Sequence, residues 1–211
     1  MKITIIGVTG FTGTHIAREA IARGHDVVGA ARSASDHDLE GVEFVALDVA
    51  DADAVASATA TSDALVLTIQ PVINGFTLRE LVPALLDVAE RSSVRLGIVS
   101  GAGSLLVADG TRLVDQEAFP EAWRPGAEAH ADALEALRES GTEVDWFVMS
   151  PSQFFGRAAP GERRGTYRVG GDELLIDAEG RSSIGVEDFA AALLDELENP
   201  KHHRTRFTVG Y

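Results

Sequence analysis

Two hydrophobic rhythms alternate along this chain. Short runs of consecutive apolar, mostly β-branched residues recur, and between them lie stretches with apolar residues every three or four positions. The first rhythm predicts buried strands and the second predicts helices with one apolar face. Residues 2–6 predict a first strand. Residues 12–23 place Ile16, Ala17, Ala20 and Ile21 on one side of a helix that Gly24 stops. Strands follow over 26–31 and 42–47, a short alanine-rich helix over 51–60, and a fourth strand over 63–68. A longer helix over 78–91 is expected to bend at its interior Pro83, and residues 94–100 predict a fifth strand. This alternation of strand-like and helix-like segments predicts a parallel sheet covered on both faces.

The second half is less regular. Residues 101–125 form a long connection with scattered apolar positions. Residues 126–140 predict a helix, with Ala129, Ala133, Leu134 and Leu137 at helical spacing and Gly141 ending it. Residues 144–149 predict a sixth strand stopped by Ser150 and Pro151. Residues 166–177 predict a hairpin turning at Gly170, Gly171 and Asp172. A last amphipathic helix spans 186–198, closed by Asn199 and Pro200, and residues 206–209 predict a final strand. No repeat, low-complexity tract or linker divides the chain, so residues 1–211 are expected to form a single domain.

Composition narrows the function classes. With 211 residues, 45% hydrophobic and 24% charged, the chain is ordinary for a globular protein with one sizeable core. No run approaches the roughly 18 apolar residues of a membrane span. The apolar start is too short for a signal sequence and continues straight into a glycine motif. Cysteine is absent, which excludes disulfides and thiolate chemistry and favours a cytoplasmic setting. The formal net charge of −15 repels DNA, RNA and anionic membranes. Any anionic cofactor would then need local positive potential from a helix N-terminus and a placed arginine.

Such a feature stands between the first strand and first helix: Gly7, Val8, Thr9, Gly10, Phe11, Thr12 and Gly13. One glycine gives the tight turn, one lets backbone N–H groups approach a pyrophosphate, and one lets helix and strand pack closely. The spacing is G-x-x-G-x-x-G, and a further β–α–β pattern follows it. The fold expected is therefore α/β: a Rossmann-type, doubly wound, mostly parallel sheet with a small C-terminal substrate-side elaboration around 150–185. The second strand ends at Arg32 and Ser33, where binders of NAD carry a carboxylate for the ribose 2′-hydroxyl. An arginine there suits a 2′-phosphate, so NADP(H) is expected over NAD(H). Asp36 and Asp38, further along the loop, keep NAD(H) open.

Together with Leu47-Asp48-Val49 and Val99-Ser100-Gly101-Ala102-Gly103, this loop resembles the atypical short-chain dehydrogenase/reductases. Within them it is most similar to the small NAD(P)H-binding, NADH-flavin-reductase-like group that includes biliverdin reductase B-like proteins. The resemblance covers nearly the whole chain, including the stretch 182–190 ahead of the last helix. It implies that Asp48 and Val49 contact adenine, and that Thr68, Ile69 and Gln70 line the nicotinamide-side ribose. It implies too that Ser100 sits beside the nicotinamide, and alignment of the 126–140 helix puts His130 near the position of the group's catalytic tyrosine. A helix cap for Asp48, a turn former for Ser100 and an exposed surface residue for His130 are the bland alternatives.

The chemistry is constrained by what is missing. Most short-chain dehydrogenases use a tyrosine and, four residues on, a lysine that lowers its pKa. Here the two tyrosines are Tyr167 and Tyr211; Gly171 follows the first at that spacing and the second ends the sequence. The lysines are Lys2 and Lys201. His130 could donate a proton at neutral pH. The simplest substrate accepts hydride and takes its proton from solvent, as small planar flavins and quinones do. Phe119, Trp123, Gln153, Phe154 and Phe155 lie in segments expected around the nicotinamide side and could stack on such a ring. An NADPH-dependent reductase of flavin- or quinone-like acceptors follows. A non-catalytic NADP(H)-binding redox sensor, similar to the negative nitrogen regulators, also fits the missing pair; a sugar-nucleotide epimerase fits less well. No metal site, nucleophile elbow or nucleotide-hydrolysis motif is present. No helix carries an apolar stripe beyond what one core absorbs, which leaves a homodimer open.

Overall fold

A computed structural model describes residues 1–33, 39–73 and 75–211. Its elements follow in order: β1 (Lys2–Ile6), α1 (Phe11–Ala22), β2 (Asp26–Ala31), β3 (Val42–Ala46), α2 (Ala52–Thr59), β4 (Ala64–Leu67), β5 (Val72–Ile73), β6 (Phe76–Thr77), α3 (Leu78–Ser92), β7 (Arg95–Val99), α4 (Arg124–Glu139), β8 (Trp146–Ser150), β9 (Arg168–Gly170), α5 (Val186–Glu198) and β10 (Thr205–Gly210). The main sheet has eight strands in the order β3-β2-β1-β4-β7-β8-β10-β9. All pair in parallel except β9, which runs antiparallel to β10. This is the Rossmann-type, doubly wound α/β fold.

Strands β1, β4, β7 and β8 are almost uniformly apolar because both faces of the sheet are covered. One core layer joins Ile3, Ile5, Phe147 and Met149 to α1 and α5 through Ile16, Ala20, Phe189 and Leu193. The other joins Leu65, Leu67, Leu96, Ile98, Trp146 and Val148 to α2, α3 and α4 through Val55, Leu85, Leu134 and Leu137. Side-chain direction alternates along each strand, so residues of even number on β7 and β8 face α3 and α4. β1 leads to β2 on one side, while β4 lies on its other side, and this reversal opens a crevice at the carboxyl ends of the strands.

Two elements differ from the pattern-based expectation. The stretch 166–177 forms no β-ladder of its own; β9 pairs instead with the C-terminal strand, Gly170 opposite Thr208 and Arg168 opposite Gly210. Tertiary bonds override the local turn signal: the Asp172 carboxylate accepts from buried Arg206 Nε at 2.6 Å, and Leu106 N–H donates to Asp172 O at 2.8 Å. The short β5–β6 ribbon just after β4 carries too few residues to register as strands in the hydrophobic pattern.

Candidate active site at the carboxyl edge of the sheet

The glycine loop is shaped by close packing. Gly7 has φ +87°, a left-handed conformation, and a β-carbon on it would lie 2.6 Å from Thr68 O. A β-carbon on Gly13 would lie 2.3 Å from Gly7 O, whereas one on Gly10 would meet its nearest neighbour at 3.1 Å. Gly7 N–H donates to Ala30 O at 2.9 Å, and Thr68 Oγ1 donates to Gly7 O at 3.0 Å. The ends of β1, β2 and β4 thus hold the loop in one shape. It delivers α1 with Gly10 as a cap that makes no side-chain hydrogen bond, and with no acidic residue in the first turn. The backbone N–H groups and positive pole of α1 are therefore available to an anion.

Beside the loop is a cleft of about 330 Å³. It is lined by Gly7, Thr9 and Gly10 from the glycine loop, Arg32 after β2, Asp48 and Val49 after β3, and Thr68, Ile69 and Gln70 after β4. Val72 and Ile73 of the β5 ribbon complete it. Phe11, Thr12 and Gly13 lie in the first turn of α1 behind this lining, and Ser33 stands exposed just outside it. Asp48 also caps locally, accepting from Ala50 N–H at 3.0 Å, while the N-cap of α2 is Asp51. Asp36 and Asp38 fall outside the described residues. A larger groove of about 610 Å³ between α3 and α4 contains none of these residues.

Ser100 continues the ladder beyond β7, its N–H donating to Met149 O at 2.9 Å. Leu67 pairs with Ile98, so Ser100 follows two residues beyond the end of that pairing, on the strand next to β4; neither Ser100 nor His130 belongs to the lining of the cleft. Its Oγ is sealed from solvent and has no hydrogen-bond partner. His130 comes to the same place from α4: its Cδ2 would be 3.5 Å from a β-carbon on Gly101. The ring is largely buried, Nδ1 is likewise unpartnered, and burial pushes its pKa down to about 4. His130 is thus a neutral imidazole at neutral pH, able to donate a hydrogen bond rather than to act as an imidazolium acid. Ser150, which marks only a strand end in the sequence, carries the third such group, a hydroxyl that is completely buried and without a partner.

Of the aromatic residues expected around the nicotinamide side, Trp123 and Phe154 are exposed. Phe155 packs inward, its ring 4.6 Å from that of Phe189 and 6.5 Å from that of Phe11. Phe119 lies under the Arg124 guanidinium, and Gln153 is exposed with its N–H donating to Ser182 Oγ. Both tyrosine hydroxyls are committed at α5. Tyr167 donates to Asp195, and Tyr211 lies 2.6 Å from Asp188 Oδ2. Burial followed by the Asp188 bond pushes Tyr211 up to about 12, which suits a structural hydroxyl. Among the described residues no cluster of histidine and carboxylate side chains could hold a metal, and no helix is long and apolar enough to cross a membrane.

A parallel sheet with a glycine loop at its topological switch point and a cleft along its carboxyl edge defines a Rossmann-type nucleotide-binding protein. Residues 7–200 match the family described as NAD(P)H-binding, and the chain belongs to that family, within the atypical short-chain dehydrogenase/reductase group. An uncharacterized protein of Bacillus subtilis (strain 168), YwnB, is 37% identical, the match covering 99% of this chain and 98% of that protein. A Bacteroides thetaiotaomicron structure, provisionally described as an epimerase, is 36% identical with a TM-score of 0.90, covering 100% of this chain and 96% of the other. A Streptococcus pneumoniae structure, provisionally described as an NADH-flavin reductase, is 29% identical with a TM-score of 0.84, covering 100% and 99%. Fold and family together support an oxidoreductase that uses a nicotinamide cofactor.

Proposed function

We propose that this protein is an NADPH-dependent reductase of flavin- or quinone-like acceptors. The observation that carries the reading is that Ser100 and His130 bring buried, unpartnered polar atoms to the carboxyl end of β7, the strand beside β4, whose following residues line the cleft. A protein that only sensed its cofactor would have no use for costly orphaned groups at that point. The Streptococcus relative's description as an NADH-flavin reductase points the same way.

The cleft suits a dinucleotide. In this reading Gly7, Thr9, Gly10, Phe11, Thr12 and Gly13 bind the pyrophosphate through backbone N–H groups and the α1 dipole. Arg32 and Ser33 meet the 2′-phosphate, Asp48 and Val49 the adenine, and Thr68, Ile69 and Gln70 the second ribose. Thr68 serves mainly through the loop, since its hydroxyl is already bonded to Gly7 O. When bound, a reduced nicotinamide supplies hydride. Ser100 and neutral His130 orient the acceptor by hydrogen bonds, and exposed Trp123 and Phe154 offer it flat apolar surface.

The test is anaerobic NADPH oxidation by wild type and Ser100→Ala with FMN, menadione and dichlorophenolindophenol. Saturable turnover that falls in the variant supports the reductase. Tight NADPH binding without turnover on any acceptor would replace it with the sensor reading, which the missing tyrosine–lysine pair fits almost as well.

A further inference from the structure

Among the described residues, three buried side-chain polar atoms lack a hydrogen-bond partner: Ser100 Oγ, His130 Nδ1 and Ser150 Oγ. Their location is not scattered. Val99 pairs with Met149, so Ser100 and Ser150 stand side by side on neighbouring strands, roughly 4.8 Å apart in backbone spacing. Leu96, Ile98, Trp146 and Val148 belong to the core layer under α3 and α4, whereas Val99, Phe147 and Met149 belong to the opposite layer. By the same alternation both serines face α4, the helix that carries His130. The close approach of that helix is built in, since a β-carbon on Gly103 would lie 2.5 Å from Ala127 Cβ and one on Gly101 would be 3.5 Å from the His130 ring.

Ser152, two residues on, shows the ordinary outcome. It is equally buried, and its Oγ donates to Val209 O at 2.9 Å. Buried hydroxyls are normally satisfied in this way, and leaving one unpaired is destabilising. Three unpaired groups on two neighbouring strands and the helix packed against them are hard to account for as packing alone.

We propose that Ser100 Oγ, Ser150 Oγ and His130 Nδ1 together form one hydrogen-bonding site for a single oxygen atom, and that Ser150 is a positioning residue for the reduction. The oxygen belongs either to a carbonyl of the acceptor or to an ordered water that holds the Ser100 hydroxyl in its working direction. Both sources share the chemistry of a small oxygen met by two hydroxyls and an imidazole nitrogen. The proposal rests on the reductase reading for its role, while the site itself does not.

The experiment compares Ser150→Ala with Ser152→Ala in three readouts: thermal unfolding, the ring-nitrogen chemical shifts of His130, and steady-state reduction of menadione. Without ligand, Ser150→Ala is expected to raise Tm by about 2–4 °C where the oxygen is the acceptor's, because an unpaired hydroxyl is removed, and to lower it as Ser152→Ala does where the oxygen is a resident water. Ser150→Ala is expected to move the His130 signals and to slow menadione reduction roughly tenfold. A rise in KM identifies the acceptor's oxygen. A fall in kcat with a changed solvent isotope effect identifies the water. If wild type reduces no acceptor but Ser150→Ala still raises Tm and moves the His130 signals, the reductase reading falls and the site stands. His130 signals and kinetics identical to wild type overturn the proposal, whatever the Tm.

Discussion

Gly13 packs against Gly7 so closely that a β-carbon on Gly13 would stand 2.3 Å from Gly7 O. The contact joins the first turn of α1 to the end of β1 and fixes the loop that the cofactor reading depends on. Gly13→Ala must push backbone against backbone, and overpacking of this kind costs about 1–3 kcal/mol. Gly10→Ala meets Gly7 O at 3.1 Å, a contact that a small shift relieves. The expected result is a clear loss of Tm for Gly13→Ala and a near-wild-type Tm for Gly10→Ala. The latter should still weaken NADPH binding, because the added methyl stands where the pyrophosphate approaches. Thermal melts with NADPH titration check both halves.

Thr68 ties β4 to the same loop through its hydroxyl, bonded to Gly7 O at 3.0 Å and Ile6 O at 3.1 Å. Thr68→Val keeps the shape and removes the donor. A net loss of about 1 kcal/mol is expected, with weaker cofactor binding because the loop carbonyl is freed to move. Binding by nicotinamide fluorescence quenching should show a several-fold higher Kd. An unchanged Kd with a lowered Tm would place Thr68 in stability alone.

The glycine loop and the strand–helix alternation were legible because each depends on local geometry, whereas the residues following β3 and β4 were named only through the family resemblance. Gly7 and Gly13 are required by contacts that any β–α turn of this kind makes, and β7 and β8 are apolar runs because both faces are covered. The unread features depend on distant partners. Asp172 looked like a hairpin turn, but its carboxylate belongs to Arg206, which is buried beneath it. Ser150 read as a strand end, since nothing nearby in sequence reveals that its hydroxyl is buried beside Ser100. His130 looked free to ionise at neutral pH until its burial against Gly101 was seen.

Arg32 lines the cleft at the point where β2 ends. If it meets the 2′-phosphate, Arg32→Ala removes a charge-assisted bond of about 1.5–3 kcal/mol. The Kd for NADPH should rise roughly 10- to 100-fold, while that for NADH changes little. Equal losses for both cofactors would show that Arg32 supports the cleft without reading the phosphate.

His130 also gives the protein a pH dependence whose sign can be worked out. Burial lowers its pKa from 6.5 to about 4 in the folded chain, so between these values the unfolded chain binds the proton more readily. Stability attributable to this residue therefore falls as pH drops from about 6.5 towards 4 and is constant above that window. At pH 5 the loss is about 2 kcal/mol. His130→Gln cannot take up the proton and should lack this part of the acid destabilisation, so the gap between the two proteins' unfolding free energies should shift by about that amount between pH 7.5 and pH 5. Denaturant unfolding at both values measures it. A gap that is the same at both values would mean that the ring reaches solvent and protonates without strain, and its role as a neutral hydrogen-bond donor would be lost with it.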